Sequence, residues 1–216
     1  MAIPTFFLLQ MFACKKTDSN FSGRITFLNG IIDSEPITIK MNDNIIIDKD
    51  SFGVLKNNIA APSGTFKIGF YIGTSIIPNF SITTNIESGR GYTWFVYDSA
   101  NPGQVFLNKD FLPAKVTEGK CAIRFFSLIP NSNGLFLQND TGKTFLSNKT
   151  FDNYPNTFEE ADTTSLLLKM KMSGTVAALD SLKKPLADGK IYTIFLTGSL
   201  GGTGLQKPKM IFLEHN

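Results

Sequence analysis

Two stretches of this chain, IESGRGYTWF at 86–95 and LADGKIYTIF at 186–195, share one grammar at a spacing of 100. In each, an apolar residue is followed by glycine three positions on, by tyrosine and threonine three and four beyond that, and by a closing phenylalanine. A second pair, ITFLN at 25–29 and IRFFS at 123–127, repeats at a spacing of 98. Two anchors with nearly the same offset mean an internal duplication. A period near 100 is too long for a solenoid or propeller repeat and fits one small β-sandwich per copy.

Within the first copy, Pro36 to Met41 leads through Asn42-Asp43-Asn44 into Ile45-Ile46-Ile47, the pattern of a hairpin. Pro62-Ser63-Gly64 then introduces a strand over Thr65 to Ile72, and further strands are predicted at 81–86, 92–97 and 104–106. The second copy gives strands at 135–138, 144–146, 165–172, 176–179, 191–197 and 209–213. No segment keeps a helical period for more than about a dozen residues, so the chain reads as all-β. The expected architecture is two tandem immunoglobulin-like, Greek-key β-sandwiches over 21–114 and 117–216, linked near Ala114-Lys115-Val116.

The spacing Gly-x-x-Tyr resembles the tyrosine corner of such sandwiches, in which the ring packs inward and the hydroxyl bonds backbone a few residues upstream. Gly89 and Gly189 would supply a positive φ at the bend, and Tyr92 and Tyr192 the anchoring rings. The second copy keeps Tyr and Thr but has Ile194 where the first has Trp94, which suits a core position and not a shared catalytic one. Along 92–97, Tyr92, Trp94 and Val96 point one way while Thr93, Phe95 and Tyr97 point the other. One face must be the sandwich core. The other is covered by a loop or the neighbouring domain, or it is an exposed aromatic patch of the kind that stacks on sugars or peptides.

The first residues, MAIPTFFLLQMFAC, form an apolar run too short to span a bilayer and of signal-peptide length, ending at Ala13-Cys14 before the polar KKTDSN. This resembles a bacterial lipobox: 1–13 would be the signal peptide, Cys14 the lipidated residue and 14–20 a tether, although no Lys or Arg precedes the apolar run. The other cysteine, Cys121, lies in the apolar GKCAIRFF, where it reads as a small buried hydrophobe; with two cysteines and one acylated, no disulfide framework arises.

The net charge is +3, with no basic run longer than Lys15-Lys16 or Lys183-Lys184, so a nucleic-acid partner is not expected. The sequence DTGKT at 140–144 imitates a phosphate-binding loop, but Leu137 stands where the first glycine belongs. Ser181-x-x-Lys184 imitates a serine-lysine pair but precedes Pro185, in what reads as a loop. Asp48 and Asp50, and Glu159, Glu160 and Asp162, lack the spaced oxygen ligands of a calcium loop and read as solvated loop acids. The one histidine, His215, is remote from Cys121 in sequence. No catalytic residue, metal or cofactor is expected.

The order RITFLN, ITIKMND, APSGTFKIGF, SGRGYTWFVYD, AIRFFS, DGKIYTIFLTG and MIFLEHN resembles the family called domain of unknown function 4397, found in bacterial envelope proteins. With a lipobox and two units, the design looks like tandem-domain lipoproteins of Bacteroidota. The resemblance implies an outer-membrane lipoprotein held in the cell envelope by the lipid on Cys14, and it is silent about chemistry. The expected function is non-catalytic binding of a glycan or a protein partner, with Phe95 and Tyr97 as the speculative contact. The alternative is a structural spacer or assembly subunit, which would offer flat strand edges and no small-molecule pocket; an enzyme is the third reading.

Overall fold

The computed structural model describes residues 22–97 and 104–215, so the expected signal peptide and Cys14 lie outside the described residues. The first copy contributes β1 (Gly23–Asn29), β2 (Ile37–Met41), β3 (Asn44–Asp50), β4 (Leu55–Ala61), β5 (Gly64–Ile72), β6 (Phe80–Ile86), β7 (Gly91–Tyr97) and β8 (Gln104–Lys109). The second contributes β9 (Lys120–Ser127), β10 (Leu135–Asn139), β11 (Thr144–Lys149), β12 (Glu159–Asp162), β13 (Leu167–Met172), β14 (Ala178–Lys183), β15 (Ile191–Thr197) and β16 (Lys209–His215). Among the described residues the only helical turn is a 3-10 turn at Gly204–Gln206, and no helix is long and apolar enough to cross a membrane.

The strands form four sheets, ordered β3-β2-β5-β6 and β4-β1-β7-β8 in the first copy, β12-β9-β15-β16 and β11-β10-β13-β14 in the second. The two copies share one topology, and it makes two tandem β-sandwiches. In each, the first and fourth strands share one sheet while the second and fifth lie on the other, an order that differs from the seven-strand immunoglobulin plan. β1 runs parallel to β7 with Ile25 beside Tyr92, and β9 runs parallel to β15 with Ile123 beside Tyr192. The two anchors that repeat in the sequence are therefore neighbours across the same ladder in each copy.

Each sandwich has its own core. Ile25, Phe27, Ile39, Phe70, Tyr92 and Trp94 fill the first, and Cys121, Ile123, Leu137, Met170, Tyr192 and Ile194 fill the second. A third apolar cluster lies between the sandwiches, where Leu28, Phe95 and Tyr97 meet Phe126, Leu128, Phe195 and Leu213. The layers thus stack as sheet, core, sheet, joint, sheet, core, sheet. The central strands β7, β9 and β15 are buried on both faces, which is why they read as near-continuous apolar runs.

The joint has an approximate two-fold axis running along the strands. Phe95 and Phe195 meet across it with ring centroids 5.9 Å apart, and a Cβ on Gly30 would come within 2.7 Å of the side chain of Leu128, its counterpart at the offset of 98. At one end Gln206 of the β15–β16 loop donates to Asp33 of the β1–β2 loop at 2.6 Å.

Three expectations change. β4 is a strand that the sequence reading leaves unassigned and β12 one that it reads as loop, because edge strands such as LKNNIAA and EEAD show little apolar alternation. The acids at 48, 50, 159, 160 and 162 therefore sit on β3 and β12 and not on loops. The strand expected at 176–179 is displaced to Ala178–Lys183, because Gly174 takes φ +78° and Thr175 closes a tight turn on Met172.

Candidate functional site

Phe95 and Tyr97 are 0% and 5% exposed, so the speculative contact is not a surface. The neighbouring sandwich covers it. Phe95 stands 4.8 Å from Phe106, 5.1 Å from Phe126 and 5.1 Å from Tyr154 between ring centroids, and Tyr97 donates to Gln104 at 2.9 Å or to Asp152 at 3.2 Å. Of the alternatives left open by the alternation along β7, burial by the adjacent domain is the one realised. It corrects the assignment of Phe95 and Tyr97 as ligand contacts.

Beside this aromatic cluster lies a buried polar one. Arg124 on β9 is 1% exposed; its Nη2, with two hydrogens, donates one to Asp110 Oδ1 at 2.7 Å and shares the second between the hydroxyls of Thr93 and Thr193, each 3.0 Å away, while Nε also donates to Thr193 at 3.3 Å. Its guanidinium lies between the rings of Phe126, at 5.0 Å, and Phe158, at 4.6 Å. Thr93 donates to Asp110 Oδ1 at 2.8 Å, and Thr193 meets His215 Nε2 at 2.8 Å. Thr193 also accepts from Arg124, and its second lone pair or its one proton serves His215 Nε2, the direction following the tautomer of the ring. Burial, with Arg124 nearby, pulls His215 down to about 4, so the ring is neutral at physiological pH. Asp110 beside Gly91 and His215 beside Ile191 hold equivalent places in the two copies.

Thr193 and His215 thus form a hydroxyl–imidazole contact of the geometry a nucleophile and its base require. Thr193 is 0% exposed and its oxygen is engaged by Arg124, so no reacting group can approach it where it lies. The cluster is a polar joint.

Tyr92 Oη accepts the backbone N–H of Glu87 at 2.7 Å, and Tyr192 Oη accepts that of Ala187 at 3.1 Å. Gly89 and Gly189 take φ of +71° and +70°, the left-handed region that glycine enters freely. Cys121 is fully buried in the second core, and burial pushes its thiol up to about 11.

DTGKT is the β10–β11 turn, in which Asn139 Oδ1 accepts from Thr141 N and Lys143 N. Ser181 lies on β14 and not in a loop. Of the acidic groups, Asp162 pairs with Lys120 and Lys143, Glu159 pairs with Lys149, and Asp50 is buried beside Lys56. Among the described residues no three His, Cys, Asp or Glu side chains gather in a metal-holding group.

Two shallow concavities lie on outer sheet faces. One of about 450 Å³, on β2 and β5, is bounded by Lys40, Lys67, Tyr71, Ile76 and Ile77, and the other of about 290 Å³ lies on β10 and β11 around Phe136 and Gln138. Lys40 Nζ sits 4.4 Å above the Tyr71 ring, which leaves little of that ring free to stack on a ligand.

No family model matches the chain, and no curated protein matches it. The residue that sequence reasoning passed over is Arg124. Its signal was a lone cation in the apolar run CAIRFF, at the position held by Thr26 in the first copy.

Proposed function

We propose that this chain is a non-catalytic, lipid-anchored protein of the bacterial outer membrane that works through protein contact, as an assembly subunit or spacer of an envelope complex. The observation that carries this reading is the fate of the aromatic face of β7, the surface best suited to a small ligand, which is spent on joining the two sandwiches. Among the described residues, the outward surface includes strand edges and shallow, open faces. The lipid would sit on Cys14, eight residues before Ser22, a reach of at most ~29 Å. A body tethered that closely meets neighbours on the same membrane at high effective concentration.

A photo-crosslinking residue at the exposed Ser81 of β6, introduced into the full chain in intact envelopes, tests this reading; a discrete protein adduct is the expected result. Absence of any adduct, together with stabilisation by a polysaccharide, would sink it in favour of the glycan reading, for which the concavity beside Lys40 and Lys67 is the specific support. A ligand at a hundred times its dissociation constant adds about 2.7 kcal/mol of stability, which a thermal-shift panel of polysaccharides would register.

A further inference from the structure

Sheet edges invite pairing with other chains, and proteins blunt them with charge, bulges or short length. Of the eight edge strands among the described residues, seven carry at least one charged side chain, and β3, β4, β11 and β14 are also interrupted by register shifts. β6, FSITTNI, has no charge and pairs with β5 without a shift from Gly64↔Ile86 to Phe70↔Phe80.

The direction of its free backbone groups follows from β5. Lys67 O accepts from Asn42 N, and Lys67 N donates to Asn42 Oδ1, both at 2.9 Å, so the polar groups of Lys67 point away from β6. Its partner Thr83 therefore sits in a non-hydrogen-bonded pair, and the alternation of an antiparallel ladder sends the N–H and C=O of Ser81, Thr83 and Asn85 to the open edge.

We infer that β6 pairs with β6 of a second copy, antiparallel and centred on Thr83, joining two four-stranded sheets into one of eight. This deepens the assembly reading and rests on it. The strand is complementary to itself in that register: Thr83 faces Thr83, Ser81 faces Asn85, and every outward N–H and C=O of the three finds a partner. Ile82, 41% exposed, comes to lie against Thr84 of the other copy. The nearest like charges, the two Lys67, end up three strand spacings apart, roughly 14 Å, beyond the ~8 Å screening length at physiological salt. A strand edge alone buries less than the ~1,200 Å² of stable interfaces, so the pairing is weak in solution and is strengthened by confinement to one membrane.

The test uses Thr83→Cys in the full-length, membrane-bound chain, read on non-reducing gels after mild oxidation. Facing residues of a hydrogen-bonded antiparallel pair have Cα atoms about 5.5 Å apart, within disulfide reach. Thr83→Cys is expected to give a covalent dimer, Ser81→Cys alone is not, and Ser81→Cys mixed with Asn85→Cys is. The unsubstituted chain should stay uncrosslinked, since Cys121 is buried with its thiol pushed to about 11. Equal crosslinking at all positions, or none at Thr83, overturns the self-pairing. If Thr83→Cys stays monomeric while the Ser81 photoprobe captures a different protein, self-pairing falls and the assembly reading stands; if neither yields an adduct, self-pairing falls, and the assembly reading falls with it when a polysaccharide stabilises the chain.

Discussion

Thr93 and Thr193, 100 positions apart in the chain, place their hydroxyls on the same atom, Nη2 of Arg124, each at 3.0 Å. The duplication has placed equivalent hydroxyls on either side of an approximate two-fold axis, and one arginine from the second copy serves both. The symmetry ends there, since Thr26 stands where the second copy has Arg124, and Asp110 stands opposite His215. Two copies of the second sandwich packed the same way would bring two buried arginines together with no carboxylate between them.

Arg124→Met should destabilise the chain by about 3–5 kcal/mol, because it leaves Asp110 buried without its cation. Adding Asp110→Asn should recover part of that loss. Urea unfolding of the single and double variants gives the coupling, and an additive result would mean that the pair does not interact as described.

Phe95→Ala should cost about 3–5 kcal/mol, the range for emptying a fully buried aromatic site. If Phe95 were a surface ligand contact, stability would barely move. Denaturant midpoints distinguish the two.

The pH dependence has two opposed parts. Asp50 is 1% exposed, its carboxylate oxygens have no hydrogen-bond donor among the described residues, and burial raises it to about 6. Its contribution is favourable below its ordinary value of 3.8 and is lost as pH rises through about 6. His215, held down at about 4, contributes stability that is present above its ordinary value of 6.5 and lost as pH falls through about 4. Asp50→Asn should therefore stabilise the protein by about 3 kcal/mol at pH 7. It should also leave a curve that falls steadily between pH 6.5 and 4, as measured by thermal unfolding across pH.

Tyr92→Phe and Tyr192→Phe should each cost about 1 kcal/mol, the net worth of one hydrogen bond to a partly buried backbone N–H. They share no partner, so the double variant should lose the sum. A loss at one corner only would mean that the two copies do not use the motif alike.

The sequence alone determined the duplication, the all-β class and the corner tyrosines, because each is local. A period, a turn residue or an alternation survives in one dimension. It also showed that β7 carries aromatics on both faces, without showing what lies against the second one. The strands β4 and β12 escaped notice because edge strands bury only part of one face and so show little apolar alternation. Arg124 escaped notice as a joint residue because its partners Thr93, Asp110 and Thr193 come from three separate strands or loops. Only the packing of one sandwich on the other turned Phe95 and Tyr97 from an apparent platform into a core. That decision belongs to tertiary structure because apolar burial is set by what faces a side chain, and the facing surface here lies about a hundred residues away.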